Sequence, residues 1–181
     1  FLPYVAVIIF FIIITSGFHL FGNHTYHWMA VGIMNPESSN YDAIIAGKKA
    51  YLNFGFFLFR AVIYFGGWIY ALRKLTQLSL SEDINGGLEY YNRSKRLSAI
   101  FIVFFAITSS MLAWDWIMSI DTHWFSTLFG WYVFSSMFVT SLIVLFMIVI
   151  HLKKAGMLPP LNENHIHDLG KFIFAFSIFW T

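Results

Sequence analysis

Four runs of about twenty apolar residues, parted by polar connections, limit what this chain can become more than any other feature. They cover residues 2–21, 51–72, 97–118 and 127–152, and a fifth opens near Asp168 and halts at Thr181. At ~1.5 Å of rise per residue, such a run crosses the ~30 Å hydrocarbon layer of a bilayer once. Only helices and closed barrels satisfy their backbone groups there. Barrel strands would show ~10-residue stretches of alternating polarity, and none is visible. The expected fold is therefore all-α and integral to the membrane, a polytopic helix bundle forming one transmembrane domain over residues 1–181. The first run opens directly at Phe1 and the fifth ends short of a full crossing. We therefore expect an interior fragment of a longer protein.

Composition closes off the main alternative. Charged residues make up 11% of the chain, against about 25% in soluble domains. Apolar residues make up 59%, and 22 phenylalanines cover most helix faces rather than one stripe. Mean hydropathy is +0.69. A helix apolar all round belongs in lipid or in the core of a large protein, and 181 residues cannot build the latter. The absence of Cys removes disulfides, thiolate metal sites and cysteine-held iron–sulfur clusters from this chain. A net charge of +2 gives no reason to expect a nucleic-acid partner.

Lys and Arg set the expected orientation. Arg73, Lys74, Arg93, Lys95 and Arg96 follow the second run, and Lys153, Lys154 and Lys171 follow the fourth. Only Lys48 and Lys49 lie in the connections on the other side. The basic connections are thus expected in the cytoplasm and the turn around Asp121 outside. Residues 79–94 read as a soluble connector turning at Asn85-Gly86-Gly87, and residues 24–34 as an aromatic segment lying in the interface.

Against this apolar background the ionisable residues stand out. Arg60 falls about nine residues into its run, roughly 14 Å deep and near the bilayer middle. A bare cation there costs from about 3 to over 10 kcal/mol, so it needs a partner. Asn53, Arg60, Tyr64 and Gly67 share one helical stripe. Arg60 either pins a neighbouring helix or holds an internal carboxylate. Residues 113–127 read Ala-Trp-Asp-Trp-Ile-Met-Ser-Ile-Asp-Thr-His-Trp-Phe-Ser-Thr. Asp115 shares a semi-polar stripe with Thr108, Leu112 and Ser119, and Asp121 lies two residues from His123, where a carboxylate can orient an imidazole. These groups either exchange protons or merely cap and bridge helices.

His19 shares a face with Thr15 and Gly22, and His24 and His27 follow on the same expected side. His24 and His27 have the spacing of a metal or haem pair but no matching pair elsewhere, so no metal site is expected. On the basic side His151, His165, His167, Asp168 and Lys171 gather where a proton path would open. Asp168 also suits a helix's first turn. Ser135, Ser136, Thr140 and Ser141 are expected to hydrogen-bond along or between helices.

Trp116-Ile117-Met118-Ser119-Ile120-Asp121-Thr122-His123-Trp124-Phe125-Ser126-Thr127, followed by Gly130, resembles a turn of the quinone-binding membrane subunits of bacterial alternative complex III. His167-Asp168-Leu169-Gly170-Lys171-Phe172 resembles the start of the next helix in the same subunits. These are NrfD/PsrC-like proteins, and the likeness is to their ActF-type branch. The resemblance implies a multi-pass subunit of the bacterial inner membrane with ten helices in two four-helix bundles plus flanking helices. It would belong to a quinol:cytochrome c oxidoreductase. Its partners would be lipids, a second NrfD-like subunit, an iron–sulfur protein, c-type cytochromes and a terminal oxidase.

On that reading a quinol, menaquinol included, would pass a proton to His123 or Asp121, with Asp115 relaying it beside Arg60 and His19. His24, His27 and Trp124 would stand in the quinone's vicinity. His151, His167, Asp168 and Lys171 would line the cytoplasmic proton path. Electrons would leave through other chains, because this one offers no haem or iron–sulfur ligands. Two other classes stay open. One is a structural scaffold for redox subunits, and the other is a secondary transporter gripping its substrate with Arg60 and Asp115.

Overall fold

A computed structural model describes residues 25–158 and 161–181, together with Ile8, Ile9, Phe11 and Ile12. Those four isolated residues have helical backbone, and the rest of the first expected span, His19 included, lies outside the described residues, as does His24 after it. The described residues are helical and contain no strand: α1 (Ala43–Gly47), α2 (Phe54–Asn85), α3 (Leu88–Trp116), α4 (Phe129–Lys154) and α5 (Glu163–Trp180). Three of the helices, α2, α3 extended to Ile120, and α4, are long and apolar enough to cross a membrane. The chain divides into two compact units, residues 1–126 and 127–181.

The first unit is built on an antiparallel pair, α2 against α3. Asn53 starts α2 by accepting the N–H of Phe56 at 2.8 Å, while its own amide donates to the carbonyl of Ala50 at 3.0 Å. Satisfying an orphan N–H in this way is what an N-cap contributes. The helix then runs 32 residues, roughly 48 Å, well past the basic pair Arg73-Lys74. It ends only at Gly86 and Gly87, whose φ values of 66° and 87° lie where residues with a Cβ are strained. The expected soluble connector over 79–94 is therefore helix on both sides of a two-glycine turn. Its Ser, Glu and Asn residues are tolerated on exposed helix faces, and only the paired glycines break the run.

The helices pack tightly at Gly67, where an added Cβ would fall 2.4 Å from Cε1 of Phe104. Nearby, the Trp68 indole donates to the hydroxyl of Thr108 at 2.9 Å. The segment before α2 folds onto itself and onto α2. Tyr26, Trp28, Ile33, Ile45 and Leu52 fold over Phe57 into a small buried core. The Tyr26 hydroxyl ties this core to the end of α3 by donating to the carbonyl of Trp116 at 2.9 Å. Burial, with the charge of Asp115 adding to it, pushes the Tyr26 phenol up to about 12.

The second unit pairs α4 with α5 through Phe138 against Phe176, ring centroids 4.5 Å apart, and Tyr132 against Trp180 at 5.9 Å. Asn162 and His165 form a reciprocal capping box at the start of α5, five residues earlier than the expected start at Asp168. Ser135, Thr140 and Ser141 each donate to the carbonyl four residues back, at 2.7, 2.8 and 2.8 Å.

Candidate functional site

At the open end of the α2–α3 pair lies a buried ion pair. Arg60 donates from Nε to one oxygen of Asp115 at 2.7 Å and from Nη2 to the other at 2.9 Å. The Tyr64 hydroxyl adds a third donor at 3.1 Å, and Arg60 Nη1 reaches the carbonyl of Tyr51 at 3.3 Å. The guanidinium carbon sits 4.0 Å from the ring centre of Tyr51 and 4.2 Å from that of Phe56, within cation–π range. Arg60 is 3% exposed and Asp115 1%. The two-pronged match of guanidinium to carboxylate is the strong form of this contact.

The stripes explain the meeting: Arg60, Tyr64 and Gly67 face α3, and Thr108, Asp115 and Ser119 are buried in return. The depth differs from expectation. Helix α2 begins at Phe54, so Arg60 stands about six residues, ~9 Å, from its end. Asp115 is the penultimate residue of α3. The pair thus lies toward one end of the hairpin rather than at its middle.

His123 has a different partner from the one its sequence neighbourhood indicates. Its Nε2 lies 2.8 Å from a carboxylate oxygen of Asp42. Asp121 instead accepts the backbone N–H of His123 at 3.2 Å, because a side chain two positions back reaches the backbone of such a turn more readily than the ring. Asp42 also caps α1 by accepting from Ile44 and Ile45 at 2.8 and 3.1 Å. Those backbone donors, that of Ile45 first, and then His123 hold the Asp42 carboxyl below its ordinary range. Lys48 donates to the carbonyl of Thr122. Two polar links therefore fasten the segment before α2 to the turn after α3. Sequence reasoning passed over Asp42 because its visible signal is that of a helix cap, and its partner is distant in the chain.

Between these two arrangements is a cavity of about 410 Å³. Leu52, Met111, Trp114, Met118, Trp124 and Phe125 form its walls, and Lys48, Tyr51, Ser119 and Thr122 bring polar groups to it. The Ser119 hydroxyl donates to the backbone carbonyl of Asp115. The indole N–H of Trp114 is withdrawn from solvent and has no acceptor among the described residues. A buried donor in that state is costly unless something satisfies it. Few polar groups in a mainly apolar concavity make a site suited to a flat, weakly polar small molecule.

The structure thus joins Arg60 to Asp115 and places Trp124 on the cavity wall. It pairs His123 with Asp42 and leaves Asp121 bound to backbone. His27 is exposed on a short 3₁₀ turn. In the second unit His151 and His167 are exposed, and Asp168 pairs with Lys171 at 3.0 Å. Among the described residues no three His, Asp or Glu side chains gather at metal-holding distance. No protein-family model matches the chain, and no curated protein matches it either.

Proposed function

We propose that the chain is part of a polytopic, bacterial inner-membrane subunit of a quinol:cytochrome c oxidoreductase, and that the cavity beside Tyr51 receives the quinone ring. The observation that carries this reading is the mainly apolar cavity of about 410 Å³ itself, walled by Trp114 and Trp124 and supplied with only a few polar groups. Met111, Trp114, Met118 and Phe125 supply apolar contact to the ring, and Lys48, Ser119 and Thr122 supply the few polar groups. Oxidising a quinol releases two protons and two electrons. His123 and Asp121, on the turn that borders the cavity, are the nearest candidates in the sequence for taking protons. The electrons pass to iron–sulfur or haem groups on partner chains. In this scheme Asp115 does not relay protons freely but acts with Arg60 as a fixed support behind Tyr51.

The test uses the intact complex carrying Trp114→Phe, which keeps an aromatic wall but removes part of its contact with the quinone ring. We expect KM for the quinol to rise about three- to tenfold, the worth of the apolar contact removed, with assembly unchanged. Unaltered quinol kinetics would remove the quinone assignment.

A second reading, a scaffold holding redox subunits together, is favoured by the complete satisfaction of Asp115 by Arg60 and Tyr64. It predicts that Asp115 variants fail to assemble while Trp114→Phe is silent.

A further inference from the structure

We propose that a groove of about 450 Å³ along α2, formed by Gly66, Ile69, Tyr70, Arg73, Lys74 and Gln77, holds an anionic phospholipid. Its phosphate lies at Arg73 and Lys74, and an acyl chain lies over Gly66 and Ile69. The proposal rests on the membrane placement argued above but not on the quinone site.

These six residues recur at the helical spacing that puts them on one stripe. Polarity changes once along that stripe, from Gly66 and Ile69 through the amphipathic Tyr70 to two cations, at the point where the apolar run of α2 ends in Leu72. That order of hydrocarbon, interface and positive charge is complementary to one lipid molecule standing beside the helix. Neither Arg73 nor Lys74 has an acidic partner among the described residues, whereas Arg93 is paired with Glu89 at 2.6 Å. Glu82 and Asp83 stand about two turns farther along α2, beyond reach of the groove. Two adjacent cations at the edge of hydrocarbon without a counter-charge call for an anion from outside the chain. A phosphodiester meets this requirement, and a choline-bearing lipid would bring its own cation into the site. The absence of a side chain at Gly66 leaves the lower groove open, and a Cβ there would meet no atom of the described residues within 4 Å.

The experiment is native mass spectrometry of the full-length protein in detergent with equal amounts of phosphatidylglycerol and phosphatidylcholine. Wild type should retain phosphatidylglycerol about tenfold over phosphatidylcholine. Arg73→Gln with Lys74→Gln should bring that ratio to within about twofold of unity. Gly66→Leu should lower the bound phosphatidylglycerol while helical content stays the same. A wild-type ratio near one, or a ratio unmoved by the double substitution, would overturn the proposal. So would complete displacement of the lipid by millimolar glycerol phosphate, which would make this a free-phosphate site, or a photo-crosslinker at Gln77 that captures a protein partner instead of lipid. Should the double variant not fold, the wild-type ratio and Gly66→Leu decide the matter. Unaltered quinol kinetics in Trp114→Phe would remove the quinone assignment and leave the lipid ratio untouched, so the two proposals fail separately.

Discussion

Arg60 and Asp115 meet through two parallel N–H···O contacts of 2.7 and 2.9 Å although 55 positions separate them. Neither residue could remain buried alone. The pair closes the end of the α2–α3 hairpin opposite its glycine turn, and the segment that carries the cavity is built against it through the carbonyl and ring of Tyr51.

Breaking this pair from one side leaves a buried charge without its partner. Asp115→Leu or Arg60→Met alone should each destabilise the full-length protein by about 3–5 kcal/mol. The double variant should be less damaged than either single one. Unfolding in detergent, arranged as a double-mutant cycle, checks this, and additive losses would count against the coupling.

Helix contact at Gly67 leaves no room for a methyl group. Gly67→Ala should cost about 1–3 kcal/mol, since Phe104 must move. Gly66→Ala, one position away and with no atom of the described residues within 4 Å of the added methyl, should be neutral or stabilising by up to about 1 kcal/mol. Thermal unfolding of the two variants side by side is the measurement, and equal effects would show that the packing there is not close.

Acid should undo the cap at Asp42. Its carboxyl is held below the ordinary value of 3.8, mainly by the N–H of Ile45 and then that of Ile44 and by His123. A group with a lowered folded pKa contributes its full stabilisation above the ordinary value and loses it as pH falls through the lowered one. Protection of the Ile44 and Ile45 amides against exchange should therefore be constant down to about pH 4 and fall below it. Asp42→Asn should show weaker protection with no such acid step.

The length of α2 and α3 predicts a helical hairpin standing clear of the bilayer. Residues 75–85 extend α2 by roughly 16 Å beyond Lys74. The sequence has no Cys, so single cysteines can be introduced without removing others. Thr76→Cys, Leu80→Cys and Ile84→Cys should react with a membrane-impermeant maleimide, while Ile102→Cys and Val103→Cys should not. Labelling at Ile84→Cys alone would mean that the helices stop near the membrane surface.

Three of the expected spans were legible as helices long and apolar enough to cross a membrane, because twenty consecutive apolar residues carry that length requirement in the sequence itself. Arg60 and Asp115 were each legible as residues needing a partner, and their stripes of Tyr64, Gly67 and Thr108 pointed to the faces that meet. Helix ends were harder to read. Ser79, Glu82, Asp83 and Asn92 look like a loop by polarity, but an exposed helix accepts them at little cost, and the two positive-φ glycines alone mark the turn. The pairing of His123 with Asp42 left no local trace, since nothing in the spacing of Asp121 and His123 announces a competing carboxylate from another segment. The small core around Trp28 and Phe57 was hidden for a related reason. Its apolar residues look the same whether they bury one another or rest against lipid.

Tyr51 has two duties, as one face of the cavity and as the aromatic cover over the Arg60 guanidinium. The cavity cannot widen at that face without stripping an aromatic cover from a charge that water does not reach. Its width at Tyr51 is thereby pinned by electrostatics, and whatever molecule settles there meets a wall that resists being pushed aside.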